Sequence, residues 1–418
     1  MDIFDEKIIA YDSIKATLRR IVDALKATSK YKSGGAVLPH GLLLTGAPGT
    51  GKSTLSECVL QASGRSAVIF RKEAEENEFL IQLKQVFADA KESAPSVILL
   101  EDIHLYASSP YASEWAALQS AIDECNDPDC DVFVLATANS TEHIAQSLLR
   151  PGRFDYHMNV DIPRGKAAEA IIQHYLKGTK LGEDVCLHDI VMVLDGYSCA
   201  TLESALNAAK INAIFDGSDM IRKKHITSAL MEIVYKARET DKEYTEEEIR
   251  TIAIHEASHA VVCEVLRPGH TSVVSILSDD NISAGVTSYY DEGYSTLKEL
   301  EDLVTISLGG QAGVEVILGE HDVGAMEDLQ HAIDLLTLWA GKNTGGGFPH
   351  VVSRNNGISE RKQTAQELLI AEKLNEHYEL AKEIIFKNRL KTERLCDALL
   401  KEKTLLHGDI ERIMNSET

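Results

Sequence analysis

The order of two short motifs constrains this chain more than any other feature. Gly46-Ala47-Pro48-Gly49-Thr50-Gly51-Lys52-Ser53 has the spacing of a phosphate-cradling loop, and far downstream His255-Glu256-Ala257-Ser258-His259 has the spacing of a metal-binding helix. The first motif requires a strand before it and a helix after it, whereas the second requires a helix around it. A fold that satisfies both has an α/β layer early and a helical body late.

A chain of 418 residues, 44% hydrophobic and 26% charged, is long enough for two or three domains with their own cores. The net charge of -23 argues against a nucleic-acid partner, because such binding relies on Lys and Arg neutralising phosphates. No stretch approaches the ~18 consecutive apolar residues of a spanning helix, and the start, Met1-Asp2-Ile3-Phe4-Asp5-Glu6, is neither basic nor apolar. A cytoplasmic protein with no direct membrane insertion is expected. Seven cysteines at scattered spacings, with no Cys-x-x-Cys, fit reduced and mostly buried thiols.

Short apolar runs at 41–45, 67–70, 96–100, 131–137 and 158–162 alternate with amphipathic stretches, the pattern of buried parallel strands joined by helical crossovers. From about Gly165 the pattern turns helical, at 167–176, 202–215 and 223–236, which predicts a small all-α subdomain. A charged linker follows. Thr245-Glu246-Glu247-Glu248 then offers a capping box for a helix that Arg267-Pro268-Gly269 ends. The rest is mainly helical, with β-like stretches at 272–277 and 285–290 and a Gly-rich loop at 345–347. The expected fold class is multidomain, α/β plus α: a P-loop nucleotide-binding subdomain with a parallel sheet over 1–163, a helical lid over 164–238, a linker over 239–248 and a mainly α-helical metal domain over 249–418.

In the phosphate loop the glycines let backbone N–H groups wrap an anion, Lys52 neutralises β and γ oxygens, and the Ser53 hydroxyl reaches Mg²⁺. Gly46, Gly49, Thr50, Gly51, Lys52, Ser53 and Thr54 form the expected contact set for ATP and magnesium. The run Val97-Ile98-Leu99-Leu100 delivers Glu101 and Asp102 to a strand end. The usual arrangement has an Asp for the Mg²⁺ shell and then a Glu for the attacking water; here the order is inverted. A displacement of about 1 Å in such a group is enough for losses near a hundredfold, so nucleotide binding is expected more firmly than fast hydrolysis. Asn139, after the next strand, is a further candidate to position water or touch the γ-phosphate.

Helical spacing of four puts His255 and His259 one turn apart on one face, where both imidazoles reach one ion. Glu256 lies beside that face, suited to take a proton from a metal-activated water attacking a peptide carbonyl. Zinc needs a third protein ligand, and Glu315, Glu320, His321, Asp322, Glu327, Asp328 and His331 are all candidates.

Ser147-Leu148-Leu149-Arg150-Pro151-Gly152-Arg153-Phe154-Asp155 resembles the second region of homology of AAA ATPases, and with the metal motif the chain from 4 to about 415 resembles the FtsH family of ATP-dependent zinc metalloproteases. The resemblance implies that Arg150 and Arg153 are arginine fingers reaching a neighbouring subunit, hence self-association into a homohexameric ring. It implies that Gly196-Tyr197-Ser198 is a lid motif near the nucleotide. It selects Asp328 as the zinc ligand, because Gly324-Ala325-Met326-Glu327-Asp328-Leu329 is similar to the family's ligand segment. It also likens Gly285-Val286-Thr287 to the edge strand on which substrate is laid out, and it implies polypeptide substrates.

The chain departs from the family in several places. Residues 71–78 are charged where the family has an aromatic pore loop, the segment between Ile103 and Trp115 is short, no membrane segment precedes the phosphate loop, and Gln311 and Val314 replace an Arg and a Glu. The charged stretch, the short segment, the missing membrane segment and the inverted acids touch the motor, whereas Gln311 and Val314 bear on groups that would tune the histidines; the proposed zinc ligands and base are intact. The leading expectation is an ATP-dependent zinc metalloprotease acting on unfolded or flexible proteins with a weak motor. Two alternatives stand beside it: an AAA assembly or remodelling protein with a structural or vestigial zinc site, and a zinc peptidase indifferent to nucleotide.

Overall fold

The computed structural model describes residues 2–72, 76–107, 109, 111–127, 130–237, 244–277, 285–290, 296–320, 326–342 and 360–416. The charged stretch at 73–75, His321, Asp322, Gly324, Ala325, the Gly-rich loop at 345–347 and residues 239–243 of the expected linker lie outside the described residues. By its internal contacts the chain divides into two compact units: Met1–Lys177 with Asp195–Ser204, and Gly178–Leu194 with Ala205–Thr418.

The first unit is built on a five-stranded sheet of β1 (Gly41–Thr45), β2 (Ser66–Arg71), β3 (Ser96–Glu101), β4 (Val132–Ala138) and β5 (Tyr156–Asn159), in the order β2-β3-β4-β1-β5. Every pairing is parallel. The central strands carry no polar alternation because helices cover both faces; β4 is buried along its whole length. One face packs Leu43, Ile98, Leu100, Val134 and Ala136 against Phe79, Phe87 and Trp115, and the other packs Leu42, Leu44, Val97 and Leu135 against Leu18, Leu55 and Val59.

The first four strands fall where their apolar runs predict. The fifth starts two residues before the expected 158–162 run. It is an edge strand in register with β1, Leu42 opposite Tyr156 and Thr45 opposite Asn159, and its residues are largely exposed, so its apolar content is a poor guide to its position. Because β1 lies between β4 and β5, the chain reverses its winding there, and the ends of β1, β3 and β4 converge on one edge of the sheet.

The helix Glu246–Leu266 organises the second unit. Its capping box is formed: Glu248 N–H donates to Thr245 Oγ1 at 3.2 Å, and Thr245 N–H donates to the Glu248 carboxylate at 2.7 Å. Residues 253–263 are buried without a break. That stretch is covered by the helices Gly309–Leu318 and Arg389–Glu402 and by a small sheet. That sheet is antiparallel, β6 (Thr271–Ser275), β7 (Val286–Tyr289) and β8 (Thr404–Leu406), in the order β7-β6-β8, with β7 at an edge.

Close approach to the buried helix depends on small residues. A Cβ placed on Gly313 would lie 1.8 Å from Ser258 Oγ, and one on Gly309 would lie 3.3 Å from the Cα of His259. Gly313→Ala is therefore expected to destabilise the chain by about 1–3 kcal/mol through overpacking, with part of the loss recovered by adding Ser258→Gly. Chemical denaturation of the single and double variants measures both effects.

Candidate metal centre and nucleotide site

The buried helix presents His255 and His259 to the same point, and Asp328, in the first turn of the helix Met326–Lys342, meets them there. The two Nε2 atoms are 3.0 Å apart, and Asp328 Oδ2 lies 3.0 Å from that of His255 and 3.2 Å from that of His259. A tetrahedron with ~2.0 Å bonds has edges of about 3.3 Å, so the three separations suit zinc. A second observation supports that fit. His259 Nδ1 lies 2.7 Å from the carbonyl oxygen of Ile306, which can only accept, so Nδ1 carries the hydrogen and Nε2 turns a lone pair toward the shared point.

Among the described residues this is the one group of three or more His, Cys, Asp or Glu side chains arranged to hold an ion. The other described candidates are placed differently. Glu315 accepts from Tyr378 Oη at 2.6 Å and pairs with Lys382 at 2.9 Å, His331 meets Ser307 Oγ at 3.0 Å, and Glu320 and Glu327 are exposed. Gly310 lies against the centre: a Cβ there would be 2.4 Å from His255 Nε2 and 2.5 Å from His259 Nε2. Val314 is buried in the core, and the Ile306 carbonyl gives His259 its orienting partner.

Glu256 is buried beside the two histidines. Burial pushes its carboxyl above its ordinary value, against the pull of both rings and of Thr287, whose hydroxyl donates to Oε2 at 2.6 Å. A carboxylate with raised proton affinity, held next to a cation site, can accept a proton and give it up again.

In the first unit the phosphate loop follows β1, and Gly49 and Gly51 adopt φ of +75° and +98°, which opens the loop into a cradle at the start of the helix Lys52–Ser63. Lys52 Nζ donates to the carbonyls of Gly46 and Ala47 at 2.8 and 2.9 Å and to Asn139 Oδ1 at 2.9 Å. Burial pulls the Lys52 ammonium below its ordinary value, with Asp102 opposing. Glu101 and Asp102 end β3 next to Arg71, at 3.3 and 3.8 Å, and Asp102 N–H donates to Thr137 Oγ1 at 3.0 Å. Asn139 N–H donates to His104 Nδ1 at 3.2 Å. Ala200 N–H donates to the Gly49 carbonyl at 3.1 Å, so the segment after Gly196-Tyr197-Ser198 lies against the phosphate loop. Arg150 is exposed, whereas Arg153 grips both carboxylate oxygens of Asp123 at 2.8 and 2.9 Å.

Sequence reasoning missed a cavity of about 130 Å³ beside Thr50 and Thr54, walled by Ile8, Tyr11, Leu55 and Ile171, which suits a nucleoside base. It also missed Ile306, Gly310 and the contact of Thr287 with Glu256. Each is a contact between residues far apart in the chain and carries no local signature.

Residues 42–162 match the ATPase family associated with various cellular activities (AAA), and residues 242–413 match peptidase family M41. The chain thus carries an AAA domain followed by a peptidase M41 domain. It is similar to the ATP-dependent zinc metalloprotease FtsH of Aster yellows witches'-broom phytoplasma, 29% identical over 96% of this chain and 62% of that protein. It is likewise similar to the ATP-dependent zinc metalloprotease YME1L of Drosophila melanogaster, 30% identical over 98% of this chain and 58% of that protein. The FtsH of Thermotoga maritima is 29% identical over 96% of this chain and 71% of its own length. The chain thus spans less than two thirds of the phytoplasma and fly proteins. No helix among the described residues of this FtsH-like chain is long and apolar enough to cross a membrane.

Gly310→Ala is expected to abolish stoichiometric zinc binding while leaving nucleotide binding intact, since its new Cβ falls on the ligand atoms. Metal analysis and a fluorescent-nucleotide titration of the same preparation check both halves.

Proposed function

We propose that this chain is an ATP-dependent zinc metalloprotease that hydrolyses peptide bonds in unfolded or flexible polypeptides. The observation that carries the reading is the triangle of His255, His259 and Asp328 with Glu256 beside it. Zinc held by those three ligands supplies Lewis-acid polarisation of a peptide carbonyl and makes water more acidic. Glu256 accepts the proton of the attacking water and returns it to the leaving amine. β7 stands at an edge of its sheet, and an edge strand offers backbone groups to which an extended peptide can add, a mode that tolerates many sequences.

ATP and magnesium belong in this reading at the phosphate loop, with Gly46, Gly49, Thr50, Gly51, Lys52, Ser53 and Thr54 as contacts. Lys52 exchanges its internal acceptors for phosphate oxygens, Ser53 reaches magnesium, and Asn139, Glu101 and Asp102 face the reacting end. The Glu101-Asp102 order and the neighbouring Arg71 support a weak motor, in which nucleotide organises or gates the assembly more than it pulls. Divisions at 1–163, 164–238, 239–248 and 249–418 remain the functional ones we propose. Seven free thiols support a cytoplasmic setting.

The direct test is casein cleavage with metal analysis. Wild type is expected to cleave, chelation to abolish cleavage, and Glu256→Gln to reduce it by about 10²-fold or more with zinc retained. Lys52→Ala is expected to remove the dependence on ATP. Zinc-replete protein inert toward casein with and without ATP would leave an ATP-binding assembly protein instead.

Self-association into a hexameric ring, with Arg150 and Arg153 reaching the neighbour's phosphates, completes the proposal. Because Arg153 is gripped by Asp123, Asp123→Ala is expected to raise ATPase activity per subunit and Arg153→Ala to lower it, with assembly followed by sedimentation velocity. Equal losses in both variants would assign the pair a purely structural role.

A further inference from the structure

The carboxylate of Glu256 has one neighbour on β7 and another in the residue just before it. Thr287 Oγ1 donates to its Oε2 at 2.6 Å, in the range of charge-assisted O–H···O⁻ bonds, and stands 3.1 Å from the Glu256 backbone carbonyl. On the other side a Cβ added to Gly285 would lie 2.6 Å from Oε1 and 2.8 Å from Cγ, so the bare backbone of Gly285 walls that oxygen. Glutamate has three rotatable side-chain bonds, and Glu256 springs from a helix whose neighbouring residues are committed to the metal triangle. Its direction is therefore settled by what touches its tip. Thr287 grips one oxygen and Gly285 confines the other.

We propose that Thr287 is a positioning residue for Glu256, holding the carboxylate toward the metal triangle from the strand that receives the substrate. The proposal rests on the peptidase reading above. A peptide that seats in register on β7 then engages the strand that fixes the base, so substrate placement and base placement share one rigid element. A Val at this position keeps the β-branched shape that the strand favours and removes only the hydroxyl.

The test uses full-length zinc-loaded protein and three variants, Thr287→Val, Thr287→Ala and Thr287→Ser, with a fluorogenic peptide. Thr287→Val is expected to lower kcat by about 10- to 100-fold, the effect of a misplacement near 1 Å, with KM within about twofold. Zinc stoichiometry and Tm are expected to stay at wild-type values, and Thr287→Ser to recover most of kcat. A crystal structure of Thr287→Val is expected to show the Glu256 carboxylate turned away from its present place. Should Thr287→Val not fold, Thr287→Ala carries the same comparison. Unchanged kcat in the variant lacking the hydroxyl, or an equal loss in Thr287→Ser, overturns the proposal. If wild type cleaves nothing, the peptidase reading falls on its own, and the crystal structure still decides whether Thr287 holds the carboxylate.

Discussion

Two imidazole lone pairs and a carboxylate oxygen turned toward one point, inside a helix bundle, form the arrangement on which the second unit depends. Without a cation these groups are a burden, since burying polar groups without partners costs several kcal/mol each. The sequence 253–263 nevertheless buries His255, Glu256, Ser258 and His259 in a single stretch. Each is given a partner. Ser258 Oγ donates to the Ile254 carbonyl at 2.6 Å, His259 Nδ1 to the Ile306 carbonyl, and Glu256 accepts from Thr287. The Nε2 atoms of His255 and His259 and the Oδ2 atom of Asp328 face one another at the triangle. The helix Gly309–Leu318 closes over them with glycines where any side chain would strike the rings or Ser258. The surrounding elements are thus fitted to a group of ligand atoms, as expected of a site that folds around its metal.

The first unit shows the same logic with a different device. Parallel strands buried on both faces can be read only at their ends, and the ends of β1, β3 and β4 bring the phosphate loop, Glu101 with Asp102, and Asn139 to one edge. Lys52 bonds to two loop carbonyls and to Asn139, which holds its ammonium over the cradle without any anion. Such a cation is already desolvated, so an arriving phosphate exchanges partners without having to strip water from the lysine.

Much of this was legible locally. Apolar runs located the first four strands, for β1, β3 and β4 because a parallel sheet covered on both faces demands such runs, and Thr245 with Glu248 announced the start of the metal helix because capping is a contact between residues three apart. The histidines and Glu256 were readable for the same reason. What was not legible is what depends on partners distant in sequence. The edge strand β5 is set by its register against β1, and β8 is three residues whose strand character comes from pairing with β6. The all-round burial of the metal helix depends on neighbours that the helix sequence does not name. Helix spacing and residue type alone left Asp328 among seven candidates, from which the resemblance picked it out, and the packing of Met326–Lys342 separates it from Glu315, which is bound up with Tyr378 and Lys382.

Which unit holds which contacts bears on what the proposed nucleotide role would have left to do. His255, His259, Asp328, Glu256, Ile306, Gly310 and Thr287 all belong to the second compact unit, and the bonds that orient His259 and Glu256, from Ile306 and Thr287, lie within it. The inverted acids at the end of β3 and the arginine beside them belong to the first unit. Gln311 and Val314, which replace an Arg and a Glu of the family pattern, sit in the helix Gly309–Leu318 of the second. On the function proposed above, the groups that would carry the peptidase chemistry are oriented by contacts inside one unit, which would leave access, assembly or substrate delivery for ATP to control.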